Sequence, residues 1–434
     1  LVSRNRRNMP AKQPSLGIPA ATSLVMANMI GTGVFVSLGY QLVDFDAAPP
    51  ILLLWLVGGV IALCGALSYA ALADLLPRSG GEFHFLGTIY HPSLGFMAGL
   101  LSAIVGFGVP TAITALAMGG YFSRAFPEIP PRAMAVAVIL LGSIAHGLSA
   151  RTSGRVQLIS TLLKLLLIGL FLVAAVVLPG TGDIRWHLEP AQDLAQIAKP
   201  AFATAVFYVF YAYSGWNAAV YGLEEWHNPR RTVKLSLVIG TLCVTALYLG
   251  LNAAFLTAAP MAALSGEREI AHVAASALFG PQAGRAVSAL FAIGLFASVS
   301  ALLWAGPRVL GAMGRQIGAL RFFSPSGEIP LRSLIFQASF AIVLVLVGDF
   351  EFLITFTQTG LSLCTLLTVL GLLILKSRGH AVPPRALLPA LIFVAFMSFV
   401  MVRLFDAEPL PAIAGILTAI TCASLWFPLQ RFSR

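Results

Sequence analysis

Charge is what this chain has least of. Asp, Glu, Lys and Arg together make up 10% of its 434 residues, where soluble domains carry about 25%. A soluble globular body is therefore excluded. Cysteine is also scarce, with Cys64, Cys243, Cys364 and Cys422 all inside apolar runs. That placement excludes a disulfide framework and leaves them as small packing residues. The seven histidines are scattered, and no H-E-x-x-H, C-x-x-C or nucleophile-elbow pattern occurs. These gaps argue against a metal centre, a catalytic site and an enzyme. Without a phosphate-binding loop, the chain is not an ATP-driven motor, and nothing calls for a cofactor.

Apolar sequence fills the space. Hydrophobic residues reach 58%, and runs of about 20 residues recur, as a bilayer requires. Twelve spans are expected, over 16–40, 51–76, 95–122, 132–149, 156–178, 200–224, 232–258, 284–311, 332–348, 352–376, 386–403 and 409–427. The first run is too long and too glycine-interrupted for a signal-peptide core. The chain opens on Leu1 rather than Met, which leaves its native start open.

The net charge of +10 is a matter of topology. With a cytoplasmic N-terminus, 19 of the 27 Lys and Arg residues fall in inside segments and 7 in outside ones. That split is the positive-inside bias of a correctly threaded chain with both termini cytoplasmic. It removes the case for a nucleic-acid partner and makes the lipid bilayer the expected surroundings. No segment is large enough for a soluble core, so residues 1–434 read as one membrane domain. The outside loops contain two amphipathic stretches, PAQDLAQIAK (190–199) and REIAHVAASALF (268–279), which fit short surface helices.

Two spans are interrupted. MANMIGTGVF (26–35) puts Gly31, Thr32 and Gly33 at the middle of the first, and FYVFYAYSGWNAAVYGLEE (207–225) puts Ser214 and Gly215 at the middle of the sixth. Each such glycine costs about 1 kcal/mol in a helix interior. Close packing through small residues is one explanation. A helix break that bares backbone groups to a ligand is the other. The breaks open two possible five-span units, about 16–178 and 200–376, which enter the membrane from opposite sides. Paired interruptions at matching positions in two halves point to a secondary transporter's binding site. Freed N–H groups suit an anion and freed C=O groups a cation, so an α-amino acid fits both.

The motifs carry a resemblance. MIGTGVF, ADLLPRSGGEFHFL (73–86), FYAYSGWNAAVYGLEEWHNPRRT (210–232) and AGPRVLGAMGRQ (305–316) resemble, in order, segments of the amino acid–polyamine–organocation transporters, specifically the L-type amino acid transporter branch. Asp74 stands where that pattern usually has Glu. The resemblance implies an all-α, LeuT-like five-plus-five inverted repeat with two added helices (about 386–427), and sodium-independent transport or exchange of amino acids by alternating access. It implies a carboxylate site at Gly31, Thr32 and Gly33, an amino-group site near Met29 and Tyr211, and membership of Ser214 and Asn217 in that pocket. Tyr211 takes the place of the gating aromatic, with Tyr213 as the packing partner. Residues 123–131 lack the cysteine that ties eukaryotic members to a heavy subunit, which fits a stand-alone bacterial relative in the inner membrane.

Several residues have plainer readings. Trp216 reads as structural, and Asn217 serves equally well as an inter-helix donor. Glu224, Glu225, Arg230 and Arg231 read as ion pairs or gate elements, Glu82 as a lock on the inner loop, and Pro110 as a kink. Neutral substrates are favoured over polyamines or basic amino acids, because the nameable pocket segments lack a carboxylate. Proton symport stands as an alternative to exchange. A receptor or channel lacks a sensory domain or repeated filter.

Lys164 is the one Lys or Arg placed well within a span, about 13 Å from its start at helical rise. Snorkelling is strained at that depth, and a charge there costs about 2.5–3.5 kcal/mol on insertion scales. The resemblance gives it a role: a fifth-helix lysine replaces a sodium ion between the first and eighth helices, with Ser298 or Ser300 as partner.

Overall fold

The computed structural model describes residues 17–148, 150–223, 226–327 and 329–431. Glu224 and Glu225 lie outside the described residues, as do the N-terminal arginines. The first expected span is two helices, α1 (Ile18–Met29) and α2 (Gly33–Gln41), bent by 41°. A long α3 (Ala48–Leu75) returns across the bundle, and a short α4 (Gly81–Ile89) follows the Ser-Gly-Gly turn. The third span runs as α5 (Pro92–Leu101), a π-helical stretch (Ser102–Gly108) and α6 (Val109–Ala125). Pro110 explains the π turns. It offers no N–H and its ring displaces the carbonyl four residues back, so the helix widens ahead of it.

Helices α7 (Pro131–Leu148) and α8 (Ala150–Val177) lie at the rim. Along α8, Ile159, Leu162, Leu166, Leu170 and Val173 are exposed at helical spacing, while Ser160, Lys164, Ile168, Phe171 and Ala175 are buried. An apolar outward face of this kind is what lipid demands. Next come α9 (Pro190–Ile197) and α10 (Pro200–Tyr213), which meet at 72°. After the second interruption, a 3₁₀ turn (Ala218–Val220) leads to α11 (Pro229–Ala258). Beyond it stand α12 (Met261–Leu264), α13 (Ile270–Phe279), α14 (Pro281–Gln316), α15 (Leu331–Val347), α16 (Phe350–Ser377), α17 (Pro384–Ala407) and α18 (Pro409–Arg431). The two amphipathic stretches read from the sequence correspond to α9 and α13.

Among the described residues, nine helices are long and apolar enough to cross a membrane, or up to eleven if each bent pair counts as one span. Proline in the first turn starts most of them, where its missing N–H costs nothing. The core lies where α1, α3, α10 and α11 pack together. Cys64, Cys364 and Cys422 are buried within the bundle, Cys243 is exposed, and all four are free thiols.

Candidate functional site

The first interruption is built by Ile30. With φ −74° and ψ 84° it forms an inverse γ-turn, closed by the Gly31 N–H donating to the Met29 carbonyl at 2.8 Å. Helix α2 makes its first bond from Phe35 N–H to the Thr32 carbonyl at 2.9 Å. The N–H groups of Thr32, Gly33 and Val34 therefore precede any intrahelical acceptor, at the positive end of α2. The second interruption turns on Gly215, whose φ of +101° suits glycine alone.

The two interruptions touch. A Cβ on Gly33 would lie 2.5 Å from the Cα of Ala212 at the end of α10, and one on Gly215 would lie 2.7 Å from the Asn28 carbonyl oxygen. Gly31 differs: a Cβ there would meet only the Met29 carbonyl oxygen, at 3.9 Å. Gly33 thus answers to close packing, whereas Gly31 stands beside open space.

That space is a cavity of about 950 Å³. Its wall includes Met29, Gly31, Thr32 and Gly33 at the first interruption, and Tyr211, Ser214 and Asn217 at the second. The third span adds Ser102, Gly106, Phe107, Pro110 and Thr114, and α16 adds Gln358, Leu361, Ser362 and Thr365. Among the described residues, the charged ones in its lining are Glu82, Arg308 and Arg315. The cavity extends toward the end of the bundle that carries the start of α1 and the α4 turn, hereafter the proximal end. Among the described residues, its wall does not reach the Arg268 cluster at the opposite, distal end. There Arg268 donates to the Tyr40 hydroxyl at 2.9 Å and to the Glu351 carboxylate at 2.9 Å, and lies 5.4 Å from the centre of the Phe350 ring.

Polar side chains hold the freed backbone. Lys164 Nζ, 3% exposed, donates to the Ile30 carbonyl at 2.5 Å and to Ser298 Oγ at 3.2 Å. Ser298 Oγ also reaches the Ile30 carbonyl, at 3.4 Å. Ser300 does not join them. It lies 2.9 Å from His146 Nε2, because two residues of helix turn it about 200° away from Ser298. Tyr248 Oη, from α11, lies 2.7 Å from the Met29 carbonyl and 2.9 Å from that of Ala212, bridging both interruptions. The Met29 carbonyl thus already takes two internal donors. The Tyr211 carbonyl accepts from Ser214 N–H at 3.0 Å.

Tyr211 faces the cavity, whereas Tyr213 is buried and donates to the Trp55 carbonyl at 2.9 Å. Ser214 Oγ lies 3.1 Å from Gln358 Oε1, linking α10 to α16. Asn217 Nδ2 donates to Glu82 Oε1 at 2.9 Å. Trp216 is buried edge-on against Tyr69, their ring centres 4.8 Å apart. No cluster of three or more metal-binding side chains exists among the described residues.

Sequence reasoning named the interruptions but missed Tyr248 and Gln358. The only available signal was a polar group deep in an apolar span, Tyr248 with Asn252 one turn on. Periodicity alone could not aim either one.

Helices suited to a bilayer, two of them interrupted beside one internal cavity, define a polytopic membrane protein with a solute-sized chamber among its spans. The chain belongs to the amino acid permease family, within the amino acid–polyamine–organocation superfamily, and the family model matches residues 16–428. It is 28% identical to the human b(0,+)-type amino acid transporter 1 over 373 residues, covering 84% of this chain and 76% of that protein. It is 27% identical to the mouse Asc-type amino acid transporter 1 over 433 residues (96% and 81%). Against the rat large neutral amino acids transporter small subunit 2, identity is 27% over 432 residues (96% and 81%). These relatives are transporters, not enzymes.

Proposed function

We propose that this protein is a sodium-independent carrier that exchanges neutral amino acids across the cell's inner membrane by alternating access. On this reading Leu331–Val347 completes twelve crossings, with both termini cytoplasmic, two inverted five-span units and no disulfide-linked heavy subunit. The proximal end then faces the cytoplasm, and the cavity is open inward.

The observation that carries the proposal is the Lys164 ammonium against the Ile30 carbonyl, one residue before Gly31. A lysine side chain occupies the place where a transported cation would otherwise hold the broken helix. The α2 N–H groups beside it receive the substrate carboxylate. The ammonium sits at the carbonyl ends near Met29 and Tyr211, where the Tyr211 oxygen, with one internal donor, keeps a lone pair. Tyr211 closes over the side chain, with Ser214 and Asn217 on the same wall. Among the described residues, neither the third span nor α16 adds a carboxylate to the lining, which favours neutral amino acids over polyamines and basic ones.

Counterflow tests this in proteoliposomes loaded with unlabelled neutral amino acids, without sodium. Labelled substrate is expected to accumulate. A strict need for sodium, or preference for a diamine, would overturn the reading.

A further inference from the structure

Among the described residues, Glu82 is the one carboxylate in the cavity wall. It is 3% exposed, sits in the first turn of α4, and lines the cavity at its proximal side. Three donors converge on it. Tyr69 Oη of α3 lies 2.7 Å from Oε1, Asn217 Nδ2 lies 2.9 Å from the same oxygen, and Tyr221 Oη lies 3.2 Å from Oε2. The titratable groups facing it are Tyr69 from α3, Tyr221 from the segment behind the second interruption, and Cys364 from α16. Among the described residues, no Lys, Arg or His pairs with it.

A buried structural carboxylate is normally matched by a cation. This one is matched by neutral donors alone, beside a chamber that opens toward water. Its environment therefore tolerates both charge states. Burial pushes the carboxyl above the ordinary carboxylate range, and the three hydrogen bonds oppose that push.

The partners also determine what a proton would do. Oε1 is occupied by Tyr69 and by an amide nitrogen that cannot accept. A proton taken from solvent therefore goes to Oε2, and the site passes from −1 to neutral. The new O–H points at Tyr221 Oη, which must become an acceptor and turn its own hydrogen elsewhere. Ser102, in the π-helical stretch of the third span, interacts with that hydroxyl. The hydrogen bond from Tyr221 to α4 is thus reversed, and Tyr221 is redirected to the third span. The α4 turn otherwise rests on the same segment, through Gly80 N–H donating to the Tyr221 carbonyl at 3.2 Å.

We propose that Glu82 is a proton-binding site at the proximal side of the cavity, where gain of a proton shifts Tyr221 from the α4 turn to the third span. The transport arm of the test rests on the exchange reading above; the spectroscopic arm does not.

The full-length protein in detergent is titrated by infrared difference spectroscopy, following the stretching band of a protonated carboxyl. The band is expected to rise as pH falls and to be absent in Glu82→Gln. Tyr69→Phe and Tyr221→Phe keep the carboxyl but each remove a donor that favours its charged form. Their midpoints should move to higher pH by about one unit. In proteoliposomes, the pH dependence of homoexchange should follow the same midpoints and flatten in Glu82→Gln. A band unchanged by Glu82→Gln, or midpoints unmoved in both tyrosine variants, overturns the proposal even where exchange is intact. Loss of exchange in every sample, with the band titrating as expected, would instead count against the transport reading.

Discussion

Tyr248 Oη lies 2.7 Å from the Met29 carbonyl and 2.9 Å from that of Ala212, so one hydroxyl of α11 touches the broken ends of both interrupted spans. A hydroxyl has one proton, and it serves the two carbonyls alternately or as a shared donor. Tyr248→Phe removes that donor while filling the same volume. The Ala212 carbonyl then loses its tyrosine donor, while the Met29 carbonyl keeps the Gly31 N–H. A buried acceptor left unpaired costs about 1–3 kcal/mol, so the variant should melt several degrees lower. It should also bind substrate about tenfold more weakly, because the interruptions lose their common anchor. Thermal unfolding with and without substrate checks both effects. An unchanged melting point with unchanged affinity would show that Tyr248 packs without holding the breaks.

The glycines of the first interruption should respond differently to substitution. A Cβ at Gly31 meets nothing closer than 3.9 Å, whereas one at Gly33 collides with backbone of α10 at 2.5 Å. Gly31→Leu is therefore expected to leave a folded, detergent-stable protein that no longer binds, since the side chain fills the place of the substrate carboxylate. Gly33→Ala should instead lose stability by about 1–3 kcal/mol through overpacking. Size-exclusion profiles and melting curves, set beside equilibrium binding, separate the two outcomes. Normal uptake by Gly31→Leu would end the backbone-capture account.

Lys164 was legible in the sequence as a charge too deep to snorkel, and the structure supplies its contacts. Lys164→Ala leaves the Ile30 carbonyl with only the long Ser298 contact of 3.4 Å. Uptake in sodium-free buffer should then fall by tenfold or more. Ser300→Ala should have a smaller effect, because Ser300 meets His146 and not the lysine. Equal activity of wild type and Lys164→Ala would remove the lysine from the mechanism.

How far the sequence reached follows from what each signal encodes. Breaks at Gly31–Gly33 and Ser214–Gly215 are local events, since glycine and β-branched residues weaken a helix wherever it packs. They could be read directly. The choice between Ser298 and Ser300 needed the rotation of α14 about its axis. An apolar helix surrounded by lipid and protein has too weak a polar pattern to fix that rotation. Asn217 is a similar case: the motif placed it at the cavity, but only the fold shows α4 folded back so that Glu82 meets it. Tyr248 and Gln358 come from helices without interruptions, where no local irregularity marks the residue that points inward. The π-helical stretch ahead of Pro110 was foreshadowed only as a kink.

The central claim is that both backbone charges of an amino acid are held by the paired interruptions. Its most direct test is equilibrium competition in sodium-free buffer against a bound, labelled neutral amino acid. The competitors are the same amino acid, its carboxamide and its N-acetyl derivative. The account predicts that each blocked form competes at least tenfold less well than the free amino acid, since each leaves one set of freed backbone groups unpaired. Competition by either blocked form as strong as that of the free amino acid would contradict it.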